Sequence, residues 1–362
     1  MSGKYTLDRR RFLQLAGAAT GVAAFGSTLS ACGPNGSDGA DASRLRINSF
    51  GGAFEDAIRK HVVAGFEKEK DVSVAITTSL GAATATQLSA AAKGTSPYDL
   101  VYMDPVPVAQ SAAAGKLAKL DIDRLSVKDE LLPLAIGEAG YSVAYLVAGV
   151  GLAYNSEQLD NAPTSWEDLW SSEYKGKVII SDVAGTAGYL FLLEAAKLNG
   201  GDENNIEPGF EALKELKGNL ASIYTTPDQA IQLLTSGEAW IGVGYSDRTG
   251  AAKATGAPLG FSFPEEGALG VLSSLAIPAD SGNVDSAYEY MDYQLSADVQ
   301  KAFLTAIPEG SVNSKVSFDD AFAEENYIPQ GATFDNLLTF DYPVIAEKLP
   351  EWTTRWAEEI AN

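Results

Sequence analysis

Residues 45–103 read LRINSFGGAFEDAIRKHVVAGFEKEKDVSVAITTSLGAATATQLSAAAKGTSPYDLVYM. From Leu45 to Phe50 apolar and polar side chains alternate as in a short strand, and Gly51-Gly52 breaks the pattern. Phe54, Ile58, Val62 and Phe66 then fall four apart, the stripe of a helix predicted over 53–69. A strand at 72–77, an Ala-rich helix near 82–93 and a strand at 99–103 complete a β-α-β-α-β order. Strands that alternate with helices are joined by crossovers, which call for a parallel sheet covered by helices. The fold class is therefore α/β.

The same grammar restarts downstream. A strand at 149–154, a helix opening at Ser165 and a strand at 177–181 are followed by helices at 188–198, 206–217 and from Pro227 to about Ser236. Strands at 239–244, 260–263 and 272–277 and a helix at 284–295 come next. This is a second α/β lobe, and no repeat of 20–50 residues suggests a solenoid.

Upstream of the first strand the chain reads as an address. Leu7-Asp8-Arg9-Arg10-Arg11-Phe12-Leu13 resembles the twin-arginine export signal, and the apolar run at 15–28 is shorter than the roughly 20 residues a spanning helix needs. Leu29-Ser30-Ala31-Cys32 resembles a bacterial lipobox, with cleavage before Cys32 and a lipid on its thiol. Residues 1–31 are thus expected to be a signal peptide and 32–43, rich in turn formers, a flexible tether. Cys32 is the single cysteine, so no disulfide forms within the chain. The expected location is outside the cytoplasm, anchored by lipid to the cell membrane.

About 330 residues remain, more than one hydrophobic core usually accommodates, and two lobes are the natural expectation. The chain carries 26 basic and 48 acidic residues, a net charge of −22; loss of Lys4, Arg9, Arg10, Arg11 and Asp8 with the signal leaves −25. Such a surface repels nucleic acid and favours cationic partners.

Several segments carry a family resemblance. They are Phe50-Gly-Gly-Ala-Phe-Glu-Asp-Ala57, Pro97-Tyr-Asp-Leu-Val101, Ala162-Pro-Thr-Ser-Trp-Glu-Asp-Leu-Trp170, Phe263-Pro-Glu-Glu-Gly-Ala268 and Trp352-Thr-Thr-Arg-Trp356. Together they resemble the polyamine-type, family 1 extracellular solute-binding proteins of ABC importers, over about 45–357. The resemblance implies the two-lobed periplasmic-binding fold, type II-like, with the solute in the cleft between lobes. Lobe 1 would comprise 44–147 and about 261–308, and lobe 2 would comprise 148–260 and about 309–362. It implies a monomer that closes about a hinge on a small solute such as spermidine or putrescine and delivers it to a membrane permease, without cofactor or metal. The stretch 268–274 departs from the polyamine binders in lacking the Trp and Asp that clamp an amine there.

Ligands of open α/β sheets sit beyond the carboxyl ends of the strands. The strand exits in such a cleft offer Ser49, Phe50, Gly51, Gly52, Asp104, Asp182, Thr186, Tyr245, Asp247 and Glu266, with Tyr145 as an aromatic wall beside Phe54 and Tyr189. Carboxylates suit ammonium groups, which only donate, and aromatic faces suit methylene stems and cations. Gly51-Gly52 and Gly185 to Gly188 would leave backbone N–H groups free for an anion, so a zwitterionic, amino-acid-derived solute is the alternative.

An enzyme is disfavoured by the residue inventory. The single histidine, His61, flanks an apolar helix stripe, and no Walker-type loop occurs. A carboxylate-pair hydrolase using Asp104, Asp182 and Asp247 is a remote alternative. A ferric-ion binder is nearer in shape, but the adjacent tyrosine pair expected by resemblance is missing.

Overall fold

Strand β1 (Arg44–Ser49) lies parallel to β2 (Ser73–Thr78), in register from Arg44↔Ser73 to Ser49↔Thr78. The computed structural model describes residues 43–361 apart from Glu138, so the expected export signal, Cys32 and the tether up to residue 42 lie outside the described residues. Between the two strands, α1 (Gly52–Ile58) passes through a π-helical turn at Arg59–Val63 into α2 (Ala64–Lys70). Ile58, Val62 and Phe66 of the expected stripe are fully buried. His61 sits half-buried on the π turn, where burial and then Lys60 lower its pKa.

After α3 (Gly81–Ala90), β3 (Val101–Met103) joins β1 through the parallel bridge Ile47↔Leu100. Buried Asn48 ties these strands: its Nδ2 donates to the Tyr102 and Ser79 carbonyls at 3.0 and 2.9 Å, and its Oδ1 accepts from the Tyr102 N–H at 2.7 Å. Asp99 is fully buried, which alone would raise its pKa. Bonds from the Arg46 guanidinium at 2.7 and 2.9 Å overcome that and hold it below the usual range.

Past α4 (Pro105–Ala113), the chain enters β4 (Val143–Asn155), thirteen residues that are almost all buried. Its first half pairs antiparallel with β9 (Leu269–Ala276), which also flanks β3. Its second half pairs antiparallel with β7 (Ile241–Tyr245) and β8 (Leu259–Ser262). Beyond β7 lie β5 (Val178–Ser181) and β6 (Leu220–Tyr224), both parallel to their neighbours. The strand order is β3-β9-β4-β7-β5-β6, with β8 on β4 and β1-β2 bridged beside β3. Parallel pairing thus belongs to the outer strands of each half, where βαβ crossovers build the sheet, while every pair that includes β4 or β9 is antiparallel.

Helices α5 (Thr186–Leu198), α6 (Glu207–Leu216), α7 (Pro227–Thr235) and α8 (Ser246–Ala254) accompany the β5–β8 half. The segment predicted to open a helix at Ser165 is a 3₁₀ helix, Trp166–Trp170, closed by a capping box of Ser165 and Asp168. Trp166 is fully buried and donates Nε1–H to the Gly267 carbonyl at 2.9 Å. Helices α9 (Val284–Leu295) and α10 (Ala297–Ala306) cover the first half, and α11 (Asp320–Glu325), α12 (Ala332–Asp335) and α13 (Tyr342–Glu359) close the chain. Gly310 pairs with Val147 midway along β4, and α13 packs on α4 and α6 through a face that buries Trp352 and Trp356.

Candidate solute site

Three helices begin where strands end on one side of the sheet. Asp104 follows β3 and is the N-cap of α4, Gly185 is the N-cap of α5, and Tyr245 closes β7 and is the N-cap of α8. None of the three caps its own helix through a side-chain hydrogen bond. The Tyr245 oxygen instead accepts from the Ala187 N–H of α5 at 3.2 Å, tying two of these starts together. Tyr145 joins them because the pairing of β4 with β9 slips between Ala144 and Leu146, an irregularity of the kind that re-aims a side chain.

The charge of Asp104 is felt at the hydroxyls of Tyr145, Tyr189, Tyr245 and Tyr342. Ser273 Oγ donates to Asp104 Oδ1 at 2.8 Å, and Tyr342 donates to the Gly270 carbonyl at 2.9 Å. Met103 pairs with Ser274 in the sheet, which sets Asp104 beside the 268–274 strand. A second acidic pole lies at Asp247, in the first turn of α8, which interacts electrostatically with Glu309. Tyr145 feels Asp104 and Glu309, and Tyr245 feels Asp104 and Asp247.

Burial raises all three carboxyls above the ordinary range. Ser273 partly offsets it at Asp104, Arg248 offsets it at Asp247, and at Glu309 repulsion from Asp247 adds to burial against the opposing pull of Arg248. The Arg248 guanidinium reaches Asp247 at 3.3 Å but is itself half exposed. Glu309 is 3% exposed and its Oε2 has no hydrogen-bond partner. The Ser246 hydroxyl also lacks one, while the buried hydroxyls of Tyr145 and Tyr189 lie near Ser273 and Thr186. Each unmade bond costs about 1–3 kcal/mol, so Glu309 and Ser246 are open to a further partner. A separate cavity of about 220 Å³, lined in part by Leu132, Asn313, Phe318, Gln330 and Phe334, contains none of these groups.

Asp104, Tyr145, Tyr245 and Asp247 of the expected set come together, with Thr186 beside Tyr189. Phe50 stacks at 5.1 Å on Phe54, which in turn meets the edge of Tyr145 at 6.1 Å, so it backs this wall. Ser49 is fully buried and its Oγ accepts from the Gly51 N–H at 3.4 Å inside the turn. Gly51 and Gly52 adopt φ of 82° and 56°, the left-handed geometry of a tight glycine turn, and a Cβ on Gly51 would stand 2.8 Å from Thr78 Cγ2.

Two expected ligands are engaged elsewhere. Asp182 Oδ1 accepts from the Ala184 N–H at 2.9 Å, a turn within its own loop. Glu266 accepts from the Ser165 hydroxyl and from the Trp166 N–H at 3.3 Å, pinning the 3₁₀ helix to the Glu-Gly turn. Glu309, Ser273 and Tyr342 were not anticipated. The signal for Glu309 is an acid in the tight, mostly apolar string Ala306-Ile-Pro-Glu-Gly310.

The profile of the family described as bacterial extracellular solute-binding protein matches residues 61–330. The chain belongs to that family. Members of the family are solute-binding proteins, and the chain has their two-lobed periplasmic-binding fold. It is 30% identical over 214 residues to the spermidine/putrescine-binding periplasmic protein of Salmonella typhimurium, a match that covers 56% of this chain and 60% of the relative. A gamma-aminobutyric acid-binding protein of Pseudomonas aeruginosa is 25% identical over 286 residues, covering 76% and 78% of the two chains. Among solved structures, an ABC transporter protein of Clostridium perfringens superposes with a TM-score of 0.78 at 26% identity, over 87% of this chain and 99% of that one.

Proposed function

We propose that this solute-binding protein captures a small organic cation carrying two separated ammonium groups, a diamine or polyamine such as putrescine or spermidine, for an ABC importer. Two groups of acids support this reading: Asp104, which acts on Tyr145 and Tyr245, and the Asp247–Glu309 pair, which acts on the same two rings. Each pole would accept from one ammonium, and the rings would line the methylene stem.

Capture would proceed by closure of lobe 1 (44–147 and about 261–308) on lobe 2 (148–260 and about 309–362), since the poles come from both. The closed form is what a membrane permease would recognise. Twin-arginine export and a lipid on Cys32 would keep the protein at the membrane beside that permease.

A zwitterionic solute is the second reading. The start of α5 has no side-chain cap; the Ala187 and Gly188 N–H groups are engaged by Tyr245 and Gly185, so a carboxylate would meet the N–H of Thr186, next to Tyr189. A ferric ion fits less well, because burial raises the tyrosine hydroxyls and opposes tyrosinate formation. Calorimetry with putrescine, spermidine, gamma-aminobutyric acid and ferric citrate separates these readings. Binding of either amine at micromolar or tighter affinity is expected. Tight binding of the amino acid or the metal with no response to amines would sink the dication reading.

A further inference from the structure

The acid pair at the second pole carries more than attraction for a cation. Val147 and Gly310 exchange backbone hydrogen bonds of 2.9 and 3.0 Å, which fixes Glu309 beside the middle of β4. Gly149, two residues on in β4, lies against Ser246, the first residue of α8: a Cβ on Gly149 would stand 3.5 Å from Ser246 Oγ. The strand therefore brings the start of α8, and Asp247 with it, to the same place as Glu309. Asp247 then acts on a Glu309 that is 3% exposed and has one oxygen without a partner.

Among the described residues, the charged and titratable groups that face them are Arg248 on α8, Tyr145 on β4 and Tyr245 at the end of β7, with Asp104 across the rings. One half-exposed guanidinium stands beside the buried Glu309 and the partly buried Asp247, and like charges that share a site do not both ionise. We propose that Asp247 and Glu309 hold one proton between them in the empty site and that the cationic solute expels it, so that capture of solute is coupled to release of a proton. The balance is simple. The pair carries one negative charge before binding and two afterwards, and the ammonium of the solute makes up the difference while the proton leaves to bulk water. Acid conditions then weaken capture, because the solute has to displace a proton held more firmly.

The coupling rests on the dication reading, so its test has one arm that needs no solute. In infrared spectra of the solute-free protein at neutral pH, the difference between wild type and Glu309→Gln should contain a carboxylic-acid C=O band, and Asp247→Asn should remove the same band. Absence of that band overturns the shared proton whatever the solute proves to be. In calorimetry with spermidine in buffers of different ionisation enthalpy, wild type should release a large fraction of a proton per solute bound. Glu309→Gln, with Asp247→Asn as the second variant if the first fails to fold, should release almost none and should lose most of the pH dependence of affinity. A wild-type binding enthalpy that is the same in all buffers overturns the coupling, while a band with no amine binding would overturn the dication reading and leave the shared proton standing.

Discussion

Asp104 is the side chain on which four tyrosines converge, and its worth to the site is measurable. Asp104→Asn keeps the shape and the bond from Ser273 but deletes the charge. Loss of one partner of a buried charged hydrogen bond costs about 2–4 kcal/mol, so affinity for putrescine should fall roughly 30- to 1000-fold. Thermal stability without solute should hold or rise, since the variant no longer buries an ionisable group. Equal affinity of variant and wild type in calorimetry removes Asp104 from the site. At the same scale Glu194, in α5, is 3% exposed with an unpartnered Oε2, and burial pushes it up to about 7 against the opposing pull of Lys197. A carboxyl raised in the folded state favours folding while protonated, so stability falls as pH rises from about 4.5 to about 7 and levels above that, a loss of up to about 3 kcal/mol. Glu194→Gln should therefore gain on wild type between pH 5 and pH 8 in urea titrations; a difference that is the same at both would refute the assignment. Which acids would matter was only partly legible. Asp104, Asp182 and Asp247 all sit at strand exits, and the string does not say which carboxylate its own loop will consume. Asp182 spends its oxygen on Ala184, Asp247 meets Arg248 beside it, and Asp104 bonds only across strands, to Ser273.

At the scale of elements, α5 depends on how closely it starts against the loop before it. A Cβ on Gly188 would overlap the backbone carbonyl of Asp182, and a carbonyl within a turn has nowhere to retreat. Gly188→Ala should cost about 3 kcal/mol or more and lower the denaturant midpoint accordingly. A midpoint within error of wild type would mean that α5 can shift outward. Periodicity located most of these elements: the predicted 284–295 and 206–217 helices correspond to Val284–Leu295 and Glu207–Leu216. Pairing direction escaped it, because β4 and β9 are near-continuous apolar runs, which look alike in parallel and antiparallel neighbourhoods. Glu309 escaped for a related reason. It leaves a helix, not a strand, and only the pairing of Gly310 with Val147 carries it to the cluster.

For the molecule as a whole, a net charge of −22 surrounds an acidic site, and the two act in the same sense on an approaching cation. The association rate with spermidine should fall several-fold between about 20 mM and about 500 mM salt, as screening shortens the reach of the field. Stopped-flow fluorescence reads that rate, and one that does not change with salt would assign the acidic surface to solubility alone. The two-lobed plan was legible from chain length and from the restart of the strand and helix grammar. The joint between the halves leaves no mark of composition, and the boundary expected near 147, which falls within β4, came from the family resemblance alone.

Strand β4 gives its first half to one sheet neighbour and its second half to two others. Neither half of the molecule is then a self-sufficient inheritance. A fragment ending before Val143 would keep β3 without its partner β9, and one beginning after Asn155 would expose the sides of β7, β8 and β9. Excised lobes should associate with stray strands or precipitate, and a split protein should reassemble only when one piece brings the whole of β4.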